Sequence, residues 1–268
     1  MNTAKQKVHE FWNSASCGES LYLSEATRDG YQRQAQARYD LEPYIFDLAR
    51  FVETKAKHVL EIGVGLGADH QMFAEAGAVL YGIDLTARAV EHTLNRLHSL
   101  GLSSQLAVGD AEALDFPDSS FDVVYSWGVL HHSPDTAKAV AEVHRVLKPG
   151  GEARLMIYHK WSLVGLMLWM RYALLRLRPW QSLDMIYAHY LESPGTKAYT
   201  IAQSRKMLSA FSEVQIRIVL THGDLLESSA GQRHGGRLLS IAKAIWPRTL
   251  LKRYLSHFGL FMLIEARK

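Results

Sequence analysis

Short apolar runs alternate with amphipathic stretches through the middle of the chain. HVLEIG (58–63) has the near-continuous apolar character of a strand buried on both faces. A glycine-rich turn and a helical stretch, ADHQMFAEA, follow it. AVLYGIDL (78–85) is a second strand, and ARAVEHTLNRLHSLG is a helix that Gly101 stops. SQLAVGDA holds a third strand, FDVVYSW (121–127) a fourth and EARLMIY (152–158) a fifth. Between the last two lies a helix, AKAVAEVHRVLKPGG, with a Pro-Gly-Gly exit. This alternation predicts βαβ units, so an α/β fold whose mostly parallel sheet carries helices on both faces. The pattern loosens after Tyr158, where a cap segment is expected at about 160–200. A helix (IAQSRKMLSAF) and a strand (EVQIRIVL, 213–220) come next, then a second cap segment at about 222–257. The closing strand LFMLIEARK is expected to pair antiparallel with its predecessor at the sheet edge. Residues 1–52 are polar and tyrosine-rich. Helical spacing of Tyr44, Leu48 and Phe51 predicts a helix in the latter half, ahead of a single larger domain at 53–268.

Composition changes this picture little. A 268-residue chain with 48% hydrophobic and 21% charged residues suits a soluble globular protein with a well-buried core. Net charge is +3 with no basic tail, so nothing in it asks for a nucleic-acid partner. A lone cysteine, Cys17, excludes an intrachain disulfide and a cysteine zinc cluster. The opening MNTAKQKVHEFW lacks a signal-type apolar run, so a cytoplasmic location is expected. The most apolar stretch is Trp161–Pro179, which Arg171, Arg176 and Arg178 break short of the roughly 20 apolar residues a membrane span needs. It reads first as the lid of an apolar pocket, with peripheral membrane contact as the alternative.

Chemistry gathers at the strand ends. Gly63, Gly65 and Gly67 follow the first strand directly, where glycine permits positive φ and close approach of a ligand. Their spacing departs from the dinucleotide fingerprint and lacks a phosphate-loop lysine. Glu61 beside them disfavours a phosphate and favours an amine or hydroxyls. Asp84 ends the second strand, where a carboxylate can accept two hydrogen bonds from ribose hydroxyls; a solvated turn is its plainer role. Asp110 and Ala111 follow the third strand, as an adenine edge or a turn cap. The connector SWGVLHHSPD carries His131 and His132, without the companions of a usual metal site. In it Ser133 is expected to cap the next helix, with Pro134 in its first turn. His132, His131 and His159 are the candidate proton acceptors. Tyr22, Tyr31, Tyr158, Trp169, Tyr199 and His222 are the candidate acceptor-pocket residues.

Taken in order, VLEIGVGLGAD, LYGIDLT, GDAEALDFPDSSFDVVYSWGVLHHSPD and EVHRVLKPGGEARLMIY resemble the class I S-adenosylmethionine-dependent methyltransferases. Within that family the likeness is to the small-molecule subgroup of methyltransferase domain type 11. It covers roughly residues 57 to 158. The resemblance implies a Rossmann-like seven-stranded sheet with a reversed last strand and helical lid insertions, with residues 1–52 as an N-terminal helical lid over the cofactor. It also implies S-adenosyl-L-methionine as cofactor, S-adenosyl-L-homocysteine as product, and in-line methyl transfer to an O, N, C or S nucleophile. Glu61 to Gly67 would wrap the methionine part, Asp84 take the ribose, Leu85 pack on adenine, and Asp110 with Ala111 meet its edge. Trp127 would lie near the cofactor on the acceptor side. SWGV stands where the branches that methylate adenine or glutamine amino groups carry an NPPY-like tetrad. Two alternatives stay open: a lipid or quinone-like acceptor at a membrane surface, and a cofactor-binding protein without turnover.

Overall fold

The structure is a computed structural model that describes residues 3–227, 243–244 and 246–268. Part of the cap segment expected at 222–257 therefore lies outside the described residues. Seven strands form one sheet: β1 (His58–Ile62), β2 (Val79–Asp84), β3 (Gln105–Val108), β4 (Phe121–Trp127), β5 (Leu147–Tyr158), β6 (Glu213–Val219) and β7 (Phe261–Arg267). Their order is β3-β2-β1-β4-β5-β7-β6. The first five run parallel, while β7 is antiparallel to both β5 and β6. The reversed closing strand is thus the inner member of the expected hairpin, and β6 is the sheet edge.

Burial explains the two-sided apolar strands. Val59, Leu60 and Ile62 of β1 and Val123, Val124 and Tyr125 of β4 are buried at the sheet centre. One core, with Leu60, Ile62, Val124, Val143 and Leu155, lies on one face. The other, with Val59, Phe73, Val123, Tyr125 and Met156, lies opposite. Helices α1 (Thr3–Ser14), α2 (Arg28–Leu41), α3 (Ala68–Glu75), α4 (Ala87–Ser99), α5 (Thr136–Val146), α6 (Leu163–Tyr172) and α7 (Leu183–Tyr190) complete the scaffold needed for the site. Two local expectations change. β5 starts at Leu147, because its first residue pairs with Phe121 before the register shifts. Asp135, not Ser133, caps α5: its carboxylate accepts from the Lys138 amide at 3.0 Å, whereas the Ser133 hydroxyl donates to Glu112. No described helix is long and apolar enough to cross a membrane.

Candidate active site

The turn between β1 and α3 is built by three left-handed glycines, with φ of 84° at Gly63, 53° at Gly65 and 75° at Gly67. A Cβ on Gly63 would collide with Val129, and one on Gly67 would come within 2.9 Å of Thr93. Gly65 has nothing within 4 Å in that direction and borders the cavity. Asp84 closes the wall opposite. Its oxygens accept from the Gly65 amide at 3.3 Å and from the Thr86 amide and hydroxyl at 2.9 Å each. Burial pushes its pKa up, and those hydrogen bonds oppose the shift.

Glu61, at the end of β1, meets His70 of α3 through Oε2 and Nδ1 at 2.8 Å. His70 Nε2 lies 2.7 Å from the Ser104 hydroxyl, which donates to the Leu80 carbonyl at 3.0 Å. That hydroxyl therefore accepts from Nε2–H, which leaves the neutral ring's Nδ1 to accept a proton from the Glu61 carboxyl. Burial and the nearby Asp69 carboxylate raise the Glu61 pKa well above the ordinary range, and burial lowers His70 to about 3. Both effects place the shared proton on Glu61.

The N-terminal segment folds over this turn. Lys5 of α1 pairs with Asp110 at 2.5 Å and Glu112 at 2.7 Å. Glu19 pairs with Arg88 on α4, at 2.5 and 2.8 Å. Deeper down, Arg38 of α2 meets Asp69 of α3 through two bonds of 2.7 and 3.2 Å, and the Tyr39 and Tyr125 hydroxyls donate to the same carboxylate. Burial alone would raise Asp69, but Arg38 and these donors outweigh it and hold the pKa below its usual value. Glu42 lies 3.4 Å from Arg38 and is hydrogen-bonded by the Trp127 side chain; burial raises its pKa to about 7.

Of these groups Lys5, Arg38, Glu42, Glu61, Asp69, Asp84 and Asp110 border one cavity of about 780 Å³. At its other end stands His132. Its Nδ1 lies 2.8 Å from the Ser193 hydroxyl and 3.2 Å from that of Thr196. Thr196 spends its proton on the Ser193 carbonyl at 2.7 Å, so its oxygen can accept from Nδ1–H. The other ring nitrogen, Nε2, faces Glu192 Oε2 at 3.4 Å. The Tyr158 hydroxyl donates to the same oxygen at 2.6 Å, and Trp12 packs edge-on against the His132 ring at 5.3 Å. A basic nitrogen beside a carboxylate, in an apolar cavity facing a glycine turn, can hold a nucleophile and take its proton.

The family described as Methyltransferase domain matches residues 60–155. Phosphoethanolamine N-methyltransferase 2 of Caenorhabditis elegans is 36% identical over 116 residues, which is 42% of this chain and 26% of that protein. A probable chloroplastic tocopherol O-methyltransferase of Oryza sativa subsp. japonica is 34% identical over 153 residues, 56% of this chain and 39% of the other. In fold, Haemonchus contortus phosphoethanolamine N-methyltransferase 2, solved with phosphomonomethylethanolamine and S-adenosylhomocysteine, aligns with a TM-score of 0.59. That alignment has 17% identity and covers 97% of this chain and 59% of the other. Over residues 60–155 the chain is therefore similar to methyltransferase domains, on a fold it shares with that solved structure. It spans from about a quarter to about half of the length of the curated relatives it matches.

The cavity gathers Glu61, Gly63, Gly65, Gly67, Asp84, Leu85, Asp110, Ala111 and Trp127, together with Tyr22, Tyr158, His132 and His222. Other expected residues stand elsewhere. His131 is fully buried beside the Tyr158 ring, with centroids 3.9 Å apart, and neither ring nitrogen has a partner among the described residues. His159 is turned into the fold, its Nδ1 at the Gly259 carbonyl. Tyr31 is buried against His92 and Arg96. Tyr199 packs on the sheet core, and Trp169 donates to the Gln181 carbonyl over a separate groove. None of these five borders the main cavity.

Sequence reasoning passed over Lys5, Arg38, Glu42, His70 and Glu192. Glu192 also gives the histidine pair a companion the sequence did not suggest: ligand-type atoms of His131, His132 and Glu192 lie within 4.8 Å of one another. The only local sign was the acid in YLESPGTKAYT, a segment that folds back so that its Lys197 amide donates to the His131 carbonyl. Cys17 reaches the cavity and is exposed, and the nearby Glu192 carboxylate disfavours its thiolate.

Proposed function

We propose that the protein transfers the methyl group of S-adenosylmethionine to a nucleophilic atom of a small molecule, in the cytoplasm. The observation that carries this reading is a single cavity with the glycine turn and Asp84 at one end and the His132–Glu192 pair at the other. The residues present fit the cofactor. Gly65 leaves its side of the turn open, Glu61 offers an acceptor for an ammonium group, and Asp84 borders the cavity for ribose hydroxyls. Leu85 packs against adenine in this reading, and Asp110 with Ala111 meets its edge. Residues 1–52 act as the lid of a 53–268 transferase body, whose segment at about 160–200 shapes the acceptor end together with His222, Leu226 and Trp246.

When bound, S-adenosylmethionine supplies an activated sulfonium methyl group, so little covalent chemistry falls to the protein. Its residues align the acceptor and exclude water, which is the larger part of such catalysis. Met156, Leu168, Leu260 and Phe261 give the acceptor end an apolar wall. Where the nucleophile arrives protonated, His132 Nε2 accepts the proton and Glu192 stabilises the resulting imidazolium. Tyr158 holds Glu192 in place through its 2.6 Å hydrogen bond.

Calorimetry with S-adenosylhomocysteine and with NAD tests the cofactor assignment. Binding of the first alone is expected, and Asp84→Ala should weaken it by roughly tenfold or more, the worth of hydrogen bonds to a charged group. A labelled-methyl assay over a panel of phenols, amines and thiols tests turnover. His132→Gln should cut the rate on a protonated acceptor by about 10²–10⁴ and leave S-adenosylhomocysteine affinity unchanged. Cofactor binding with no transfer to any acceptor overturns the enzyme reading.

A further inference from the structure

We propose that the stretch Leu174–Trp180, between α6 and α7, docks on an anionic lipid surface. Leu175, Leu177 and Trp180 are 72%, 83% and 77% exposed. Single exposed apolar residues are ordinary, but three large ones within six positions form a patch that water disfavours. The patch is built outward rather than frayed. Leu177 sits in the left-handed region at φ 56°, its amide donates to the Leu174 carbonyl, and the Arg178 amide donates to that of Ala173 at 2.8 Å. Beneath the turn, Tyr172 and Tyr190 stack with centroids 3.9 Å apart, and the Arg176 guanidinium lies 5.1 Å over the first ring.

Charge decides between a lipid surface and a plain apolar partner. Arg171, Arg176 and Arg178 are all exposed, and no acidic residue occurs between Lys160 and Asp184. Apolar side chains, a tryptophan and arginines on one short element are the ingredients of interfacial binding to anionic headgroups. The surface is also continuous with the cavity, since Leu174 and Leu175 border both. A shallow apolar groove of about 330 Å³, lined by Trp161, Leu166 and Trp169 among others, lies on the other side of α6. With no described helix able to cross a membrane, the contact is peripheral.

Cosedimentation of the full chain with phosphatidylglycerol–phosphatidylcholine vesicles, and with phosphatidylcholine vesicles alone, tests the proposal. Partition onto the anionic vesicles should be at least tenfold stronger and should weaken as salt rises. Leu177→Asp/Trp180→Glu should lower it at least tenfold; aspartate is among the residues that tolerate the left-handed backbone. Circular dichroism and S-adenosylhomocysteine affinity of that variant confirm that it folds. Three results overturn the proposal: no binding to anionic vesicles, equal binding by variant and parent, or a concentration-dependent dimer that the double substitution splits. The last would give the patch to a second copy of the chain. None of these outcomes bears on the cofactor and labelled-methyl assays, which judge the proposed activity separately.

Discussion

Glu61 and His70 together hold one proton between about pH 3 and a point well above the ordinary carboxylate range. The unfolded pair binds two protons below 4.5, one between 4.5 and 6.5, and none above 6.5, the ordinary values of the two groups. The His70 part of this can be isolated. As pH falls from 6.5 toward 3, the unfolded ring takes up a proton that the folded one refuses, so the stability due to a neutral His70 drains away. The stability difference between the parent and His70→Asn should therefore shrink over that range, by up to about 1.4 kcal/mol per pH unit. Urea unfolding at a series of pH values measures it, and a difference that ignores pH contradicts a His70 held neutral in the fold. Binding has the opposite partner. If Glu61 meets the cofactor's ammonium group as a carboxylate, its proton must leave, so affinity for S-adenosylhomocysteine should rise with pH up to the folded Glu61 pKa. Calorimetry in buffers of different ionisation heat should count up to one proton released. Glycines and acids at strand ends were legible in the sequence because their roles follow from local spacing. His70 and Glu192 were not, because each acquires its role from a partner that only the tertiary fold brings near.

Helix α1 is fastened to the body chiefly where Lys5 meets Asp110 and Glu112, with the lysine side chain 11% exposed. Desolvation works against this lysine, but the two carboxylates outweigh it and raise its pKa. The latch sits on the acid assigned to the adenine edge, so loosening the helix should loosen the ligand. Lys5→Gln is expected to speed release of S-adenosylhomocysteine by roughly fivefold, the scale of about 1 kcal/mol for a partly exposed pair. Stopped-flow release should show the gap between variant and parent closing as salt rises. At this scale the sequence predicted the strands well, since continuous apolar runs flanked by turn residues have few other uses. It misplaced the α5 cap because Ser133 and Asp135 both suit that position. What settles the matter is Glu112, which draws the serine hydroxyl away and leaves the aspartate to cap.

The N-terminal segment and the sheet are joined by more than surface pairs. Arg38 and Asp69 form a largely desolvated bridge, with the aspartate side chain 3% exposed and two tyrosine hydroxyls pointing at it. Removing one partner of such a pair strands the other, at a cost of about 3–5 kcal/mol. Arg38→Met should lower the melting temperature by roughly 6–20 °C, as scanning calorimetry would record. Arg38→Met/Asp69→Asn should regain part of the loss, because no unpaired charge then remains buried. The resemblance to a known family made the seven-stranded order and its reversed strand legible in advance. It also suggested that the N-terminal segment covers the cofactor end, but not the Arg38–Asp69 bridge, because helical spacing says which faces are apolar and not which partners they meet.

The position of β7 sets a condition on how the molecule is made. Strand β6 hydrogen-bonds to β7 alone, and β7 fills the gap between it and β5. While residues 220–260 are being translated, β6 has no neighbour at all. At ordinary elongation speeds that interval lasts roughly 2–8 s. Two open edges, those of β5 and β6, must wait side by side on the nascent chain, and one late strand closes both. A pause in translation after Val219, or a chain broken before Phe261, should therefore expose strand edges to chaperones or to aggregation more than interruptions elsewhere.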